Sequence, residues 1–307
     1  MVLRHDSAGV HLKRFLEQRL PAVLEKRYRN LNFENGSIIP TIPDLQAGAA
    51  TLVQEQMEVV GEAAIGADEA FDIPLSDIGA EEVSYKIIAV FSGFHFTFRQ
   101  MQAADRSGVP LSDKKAFAAR RAIAEKMNQI AAFGTSKYDL TGFLNNVDVP
   151  VNNSSFNPYT ATGDELAEWI IDECIAIEDS TELTETPNTL LVTPLLHGEM
   201  IKKRMSDSDA TVEEFVLKST GLSSIRKLTE LKSATLEANG VQATSTNKDR
   251  MVLYPLDSEI LERHIEPTAP MPQEYRGGKY ITPMYACTSP VIWNFPKAGR
   301  YIDYPKA

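Results

Sequence analysis

The residues that most often carry chemistry are sparse in this sequence and do not converge. The five histidines, His5, His11, His95, His197 and His264, are scattered, and no two have the i, i+4 spacing that puts a pair of metal ligands on one helix face. His95 lies between Phe94 and Phe96, a setting that reads as a satisfied core residue and not as a ligand. Arg276-Gly277-Gly278-Lys279-Tyr280 has some residues of a phosphate loop but lacks its leading glycine and the Ser or Thr after the lysine. Asp207-Ser208-Asp209 starts like a calcium loop, without the later glycine or the closing glutamate. Asn35-Gly36-Ser37 and Asn153-Ser154-Ser155 match the glycosylation pattern, which matters only after secretion. No Gly-x-Ser-x-Gly elbow occurs, and the adjacent acids Glu81-Glu82 and Glu213-Glu214 read as solvated faces. No catalytic, cofactor or metal site is expected, and a soluble α/β enzyme is the remotest reading.

The elements that would have positioned a site are clearer than the site. Leu12, Phe15, Leu16, Leu20, Val23, Leu24 and Tyr28 repeat with a helical period, interrupted by Pro21. Residues 31–50 lose that period and carry Gly36, Pro40, Pro43 and Gly48, so they read as a linker behind an N-terminal arm. Val53, Glu55, Met57 and Val59 then alternate with polar neighbours. A second alternating run covers Val83 to Phe98, with a phase flip at Ser92-Gly93 that predicts a bulge. The two runs predict a long, projecting hairpin, or else a shorter pair folded within one sheet. An isolated two-stranded ribbon is marginal in water, so it should lie on a neighbouring subunit.

After a short helical piece ending at Gly108, Ser112 or Asp113 caps the clearest helix, 113–133. Its apolar stripe is Ala116, Ala119, Ile123, Met127 and Ile130, widened by Phe117 and Ala131, and Gly134 ends it. Thr162-Gly163-Asp164-Glu165 has capping-box spacing ahead of Leu166, Trp169, Ile170, Cys174 and Ile177. Leu190-Leu191-Val192 reads as a buried strand and Thr193-Pro194 as a helix start. Thr211 opens another helix, and Ile225–Leu231 and Arg250–Tyr254 read as strands. Residues 152–256 thus predict a mixed α/β domain. The proline- and β-rich tail from Ser258 is expected to return to the sheet against the 113–133 helix.

With 307 residues, 43% hydrophobic and 24% charged, the chain can support about two domains with real cores. No apolar run reaches the roughly 18–20 residues of a membrane span. The N-terminus lacks a secretory pattern, and Cys174 and Cys287 read as buried free thiols of a reducing compartment, so cytoplasmic synthesis is expected. The net charge of −11 is uneven. Residues 1–30 hold seven Lys/Arg against three acids, leaving −15 for the remainder. A basic arm on an acidic body suits contact with a polyanion or an acidic surface, or is a solvated amphipathic helix. The acidic body argues against a dedicated nucleic-acid-binding domain.

From Gly108-Val109-Pro110-Leu111, through Lys115-Ala116-Phe117-Ala118-Ala119-Arg120-Arg121-Ala122-Ile123-Ala124-Glu125-Lys126-Met127-Asn128-Gln129-Ile130-Ala131, to Phe133-Gly134 and Gly142-Phe143-Leu144-Asn145-Asn146, the chain resembles phage major capsid proteins of the Hong Kong 97-type fold. Pro290-Val291-Ile292-Trp293-Asn294-Phe295-Pro296 is similar to a weaker version of that family's C-terminal strand. The resemblance implies an α+β capsid fold: N-terminal arm and linker 1–50, extended hairpin loop 51–84, and spine helix 113–133. It further implies a peripheral domain of 85–151 with 257–307, and an axial domain of 152–256. It implies hexamers and pentamers of a virion shell around packaged DNA, with scaffold, portal and cement proteins as partners, and no cofactor or membrane.

Inter-subunit candidates are Glu55, Glu58, Glu62, Asp68, Glu69 and Asp72 on the hairpin, with Arg120, Arg121 and Lys126 on the helix. The inward basic arm would be Lys13, Arg14, Arg19, Lys26, Arg27 and Arg29. Some relatives crosslink through a loop lysine, but here no Lys or Arg occurs between Asn30 and Lys86. A non-covalent shell is therefore expected. An encapsulin-type nanocompartment shares the resembled fold and would be distinguished by its cargo.

Overall fold

The structure, a computed structural model, describes residues 28–61, 75–107, 111–241 and 247–307. The amphipathic 10–28 stretch, apart from Tyr28, lies outside them. In chain order come β1 (Thr41–Ile42), β2 (Thr51–Val60), β3 (Asp77–Lys86), β4 (Ile88–Thr97), α1 (Phe98–Ser107), α2 (Leu111–Phe133), β5 (Val151–Asn153), α3 (Gly163–Ser180) and β6 (Thr189–Val192). Then follow α4 (Pro194–Lys202), α5 (Val212–Ser219), β7 (Ser224–Lys227), α6 (Ser233–Ala238), β8 (Lys248–Tyr254), β9 (Leu261–Pro270), β10 (Glu274–Arg276), β11 (Lys279–Thr288), β12 (Ile292–Trp293) and β13 (Arg300–Pro305).

The end of α2 explains why its sequence is so marked. A helix leaves its last four carbonyls without intrahelical partners, and here each finds one. Gly134, at φ +67, donates its N–H to Ile130 O at 2.7 Å. The N–H groups of Phe143 and Leu144 reach Ala131 O and Ala132 O at 2.8 and 2.9 Å. Asn145 Nδ2 donates to Phe133 O at 2.9 Å, while its Oδ1 accepts from Gly142 N at 2.6 Å. The Gly-Phe-Leu-Asn turn is therefore the C-terminal cap of the helix, folded back on it. Phe143, fully buried, then stacks on Trp293 at 5.5 Å and meets Tyr254 edge-on at 5.1 Å.

α2 lies on a six-stranded sheet in which β11 is central, with β4 on one edge and β9 and β10 on the other; β1 and β12 pair with β9. Ala119, Ile123 and Met127 of the helix pack on Met284 and Ala286 of β11, with Val90, Phe94 and Ile265 beside them. Phe117 does not widen this stripe, because it is 57% exposed. Nor is there a bulge at Ser92-Gly93: β4 pairs with β11 in unbroken register from Ile88–Thr288 to Thr97–Lys279. The chain is interrupted at Ile87 instead, between β3 and β4. Gly93 faces Pro283, and a Cβ there would come within 3.0 Å of Thr282 O, so the glycine serves the pairing. His95 is exposed on this strand and not a core residue.

The segment read as a linker is partly core. Leu31, Phe33, Ile38 and Ile39 are buried, and Tyr254 Oη donates to Ile38 O at 2.8 Å. Buried Arg263 holds this segment to the helix and sheet. It donates to Thr288 Oγ1 at 3.0 Å, Phe33 O at 3.3 Å and Met127 O at 3.4 Å. Burial pulls its pKa down to about 10, opposed by the charge of Glu34.

The second sheet runs β5-β13-β8-β6-β7. Thr162 and Glu165 form the full capping box of α3, whose Leu166, Trp169, Ile170, Cys174 and Ile177 are all buried against this sheet and the helices α4 and α5. Pro194 starts α4, as its position after Thr193 predicts. The tail corrects the sequence reading. β11 does lie against α2, but β13 enters the other sheet, antiparallel to β8 and parallel to β5. There Asp303 makes a two-pronged pair with Arg250 of β8 at 2.7 and 3.0 Å, both side chains buried.

Both cysteines are free, but only Cys174 is buried; Cys287 is half-buried. Burial pushes the Cys174 thiol up to about 12, and burial with the Glu266 carboxylate beside it pushes Cys287 up to about 11. The thiolate is the reactive form, so both thiols should react slowly with a disulfide reagent at pH 8. They should become fast only after denaturation, and a rapid reaction of the native protein would contradict these environments.

Candidate functional site

Among the described residues β2 and β3 pair only with each other, in unbroken antiparallel register from Thr51–Lys86 to Val60–Asp77. Ten residues at about 3.3 Å each make a ribbon roughly 30 Å long. Strand alternation puts Val53, Met57 and Val59 on one face with Ile78 and Ala80, and the first four are each more than half exposed. A strip of apolar side chains on a two-stranded ribbon gains nothing from water and gains burial energy from a partner surface. On the same face Glu55 stands directly opposite Glu82, a like-charge pair that destabilises a ribbon left without counter-charge.

The ribbon's base is tied down. Gln54 Nε2 donates to Asn294 Oδ1 at 3.0 Å, and Asn294 is itself held through Nδ2 to Glu259 O at 2.9 Å. Between ribbon and body lies a crook of about 810 Å³, lined by Gln54, Glu55, Met57, Glu81, Glu259 and Phe295 among others. Gln54 Oε1 points into buried space with no donor among the described residues. Glu55, Glu81, Glu82 and Glu259 have no ion-pair partner among them either.

The sequence-named candidates are only partly brought into view. Glu55 is exposed on the ribbon; Glu58 lies in β2, and Glu62, Asp68, Glu69 and Asp72 fall outside the described residues. On α2, Arg120 is exposed, Arg121 pairs within its own helix with Glu125 at 3.0 Å, and Lys126 bonds Gln129 at 3.0 Å. Of the basic arm only Arg29 is described, and it is exposed; Lys13, Arg14, Arg19, Lys26 and Arg27 lie outside. Sequence reasoning missed Gln54, Glu259, Asn294 and Phe295, whose shared wall joins positions more than 200 residues apart.

His264 and His197 sit beside carboxylates that hold them in the fold. His264 Nδ1 lies 2.7 Å from Asp44, with Glu262 3.5 Å from Nε2, and His197 lies 3.5 Å from Glu213. Among the described residues no cluster of His, Cys, Asp or Glu could hold a metal. Arg276-Gly277-Gly278-Lys279 is a two-residue hairpin turn between β10 and β11, both glycines at positive φ.

A spine helix capped by its own return turn, a sheet laid on it, a second mixed α/β sheet domain and a projecting ribbon define the Hong Kong 97-type class of shell folds. Residues 61–304 match the family model described as major capsid protein, and the chain belongs to that family. It is a shell-forming capsid protein of the phage type. The fold is similar to that of a chain in the capsid of Myoviridae phage XM1, at TM-score 0.77 and 15% identity, covering 95% of this chain and 97% of that one. It is also similar to the capsid chain of an empty GTA particle, at TM-score 0.62 and 9% identity over 99% and 100% of the two chains. A virus-like particle from Pyrococcus furiosus matches at TM-score 0.51 and 10% identity, over 85% and 89%. No curated protein matches the chain.

Proposed function

We propose that copies of this chain form the hexamers and pentamers of an icosahedral shell around packaged phage DNA, acting as a structural protein without catalysis. The exposed apolar face of the β2–β3 ribbon carries this reading, because such a ribbon is stable only when something covers it. Residues 51–84 serve as the extended loop that lies across the adjacent subunit, and α2 as the spine. Residues 152–256 with β13 form the axial domain, and 85–151 with the rest of 257–307 the peripheral one. Glu55, Glu58 and the acids at 62, 68, 69 and 72 face basic surface, with Arg120, Arg121 and Lys126 as candidates. The basic residues Lys13, Arg14, Arg19, Lys26, Arg27 and Arg29 face inward toward scaffold or DNA. Assembly takes place in the host cytoplasm, with scaffold, portal and cement proteins as partners.

Obligate interfaces commonly bury about 2,000–5,000 Å². Removing residues 64–80 should abolish shells in electron microscopy and sedimentation, while leaving a subunit with a cooperative unfolding transition. Normal shells from that deletion would refute the ribbon's role. The similarity to the Pyrococcus furiosus particle keeps a nanocompartment as the second reading. An encapsulated enzyme in place of DNA in particles made in vivo would favour it.

A further inference from the structure

We propose that the β10–β11 turn of one subunit, Arg276-Gly277-Gly278-Lys279, docks into the acidic crook beneath the ribbon of the next subunit. This deepens the proposed function and rests on its claim that copies of the chain assemble. The turn is a small basic knob. Arg276 and Lys279 are exposed and have no ion-pair partner among the described residues, and the pair Tyr275–Tyr280, with ring centres 4.9 Å apart, stiffens the strands behind them. Its glycines allow the reversal in two residues and leave no side chain at the tip, so the backbone N–H groups can also approach a partner.

The crook offers the complementary chemistry. Glu55, Glu81 and Glu259 line it without a counter-ion among the described residues, Glu81 from the ribbon face that carries Gln54 and Glu55 from the opposite one, and Met57 and Phe295 add apolar surface for the tyrosines. A cation with several N–H donors can bridge such carboxylates. Of the helix cations, Arg121 and Lys126 fit less well, because they are already held on α2.

The positions of knob and crook decide that the contact is between subunits. Lys279 pairs with Thr97 at one end of β4, whereas the ribbon leaves from the other end, where Ile88 pairs with Thr288. The crook's body wall lies beyond that second end, at Glu259 and Asn294–Phe295 beside the start of β9. Nine residue steps of extended strand keep the knob roughly 30 Å from its own crook. Two complementary patches at opposite ends of one body make a head-to-tail contact, which generates rings when the rotation closes.

The test is charge reversal on the full chain, read as the protein concentration at which rings or shells appear in sedimentation. Reversing the knob with Arg276→Glu and Lys279→Glu should raise that concentration about tenfold or more, as should reversing the crook with Glu55→Lys and Glu81→Lys. All four side chains are exposed, so each variant should keep the parent unfolding transition. Combining all four changes should bring the threshold back toward the parent value, because the pairing is restored with its sign inverted. An unchanged threshold in the knob variant, or no recovery in the combined one, overturns the docking. If the knob variant is silent while removal of 64–80 blocks assembly, only this inference fails. If that deletion also assembles normally, the ribbon reading fails with it.

Discussion

Replacing Asp303 with alanine is expected to cost the subunit about 3–5 kcal/mol, the range for breaking a buried ion pair by removing one partner. Asp303 is fully buried, and Arg250, 3% exposed, is held by its two oxygens at 2.7 and 3.0 Å. The third guanidinium nitrogen donates to Leu144 O at 2.6 Å, and the group lies 4.7 Å above the Tyr301 ring. Without Asp303 the cation keeps one carbonyl and a ring face but no counter-charge, in a place water does not reach. The double change Arg250→Met with Asp303→Leu should cost less than the single one, because it removes the charge together with its partner. It leaves Leu144 O without that donor, a loss of about 1 kcal/mol. Urea unfolding in the background of the assembly-defective 64–80 deletion would measure both variants without interference from shells. A shift in Asp303→Ala worth under about 1 kcal/mol would mean the site is hydrated.

Gly142→Ala should be comparably damaging, for a steric reason. A Cβ at 142 would sit 2.3 Å from Gly134 N, 2.6 Å from Phe133 C and 2.7 Å from Phe133 N, all backbone atoms. No rotamer relieves such contacts. The turn must lift off the helix end, and the bonds from Phe143 N and Leu144 N to Ala131 O and Ala132 O go with it. Overpacking of this kind costs about 1–3 kcal/mol, and each buried hydrogen bond lost adds about 1 kcal/mol. A loss of about 3–5 kcal/mol is expected in the same urea experiment, with Phe143 and its stack on Trp293 displaced. Alanine at Gly240, where an added Cβ meets nothing within 4 Å, separates the two effects: unlike Gly142 it has positive φ, at 75°, and should cost only the backbone strain, about 1 kcal/mol.

Much of this architecture was readable one element at a time. The α2 helix announced itself through Ala119, Ile123, Met127 and Ile130, and the α3 start through Thr162 and Glu165, because caps and helical periods are local physics. The ribbon was readable from alternation, though not its limits, since the same alternation continues through Ile87 into β4. What stayed hidden was pairing at a distance. Gly93 looked like a bulge because nothing nearby says that Pro283 lies opposite it. Nothing near Arg250, Asp303 or Arg263 in the sequence marks them as buried, because only the folded chain brings their partners to them. Residues 31–39 looked like a linker because Phe33, Ile38 and Ile39 pack without helical or strand period. The turn at 276–279 was visible as two glycines between cations, yet its use depends on where the ribbon of another subunit ends.

The place of β13 sets the order in which this protein can be built. Val151 of β5 pairs with Tyr301, 150 positions further along the chain, and β5 has no other neighbour in its sheet. At about 5–20 residues per second on the ribosome, that gap lasts roughly 8–30 s. Over its last third, once β8 has been made, that strand shows one open edge and Arg250 waits without its carboxylate. A nascent subunit is therefore held short of its native sheet until translation has passed residue 305. Aggregation during synthesis, more than the strength of any finished contact, would then limit how many assembly-competent subunits a cell yields.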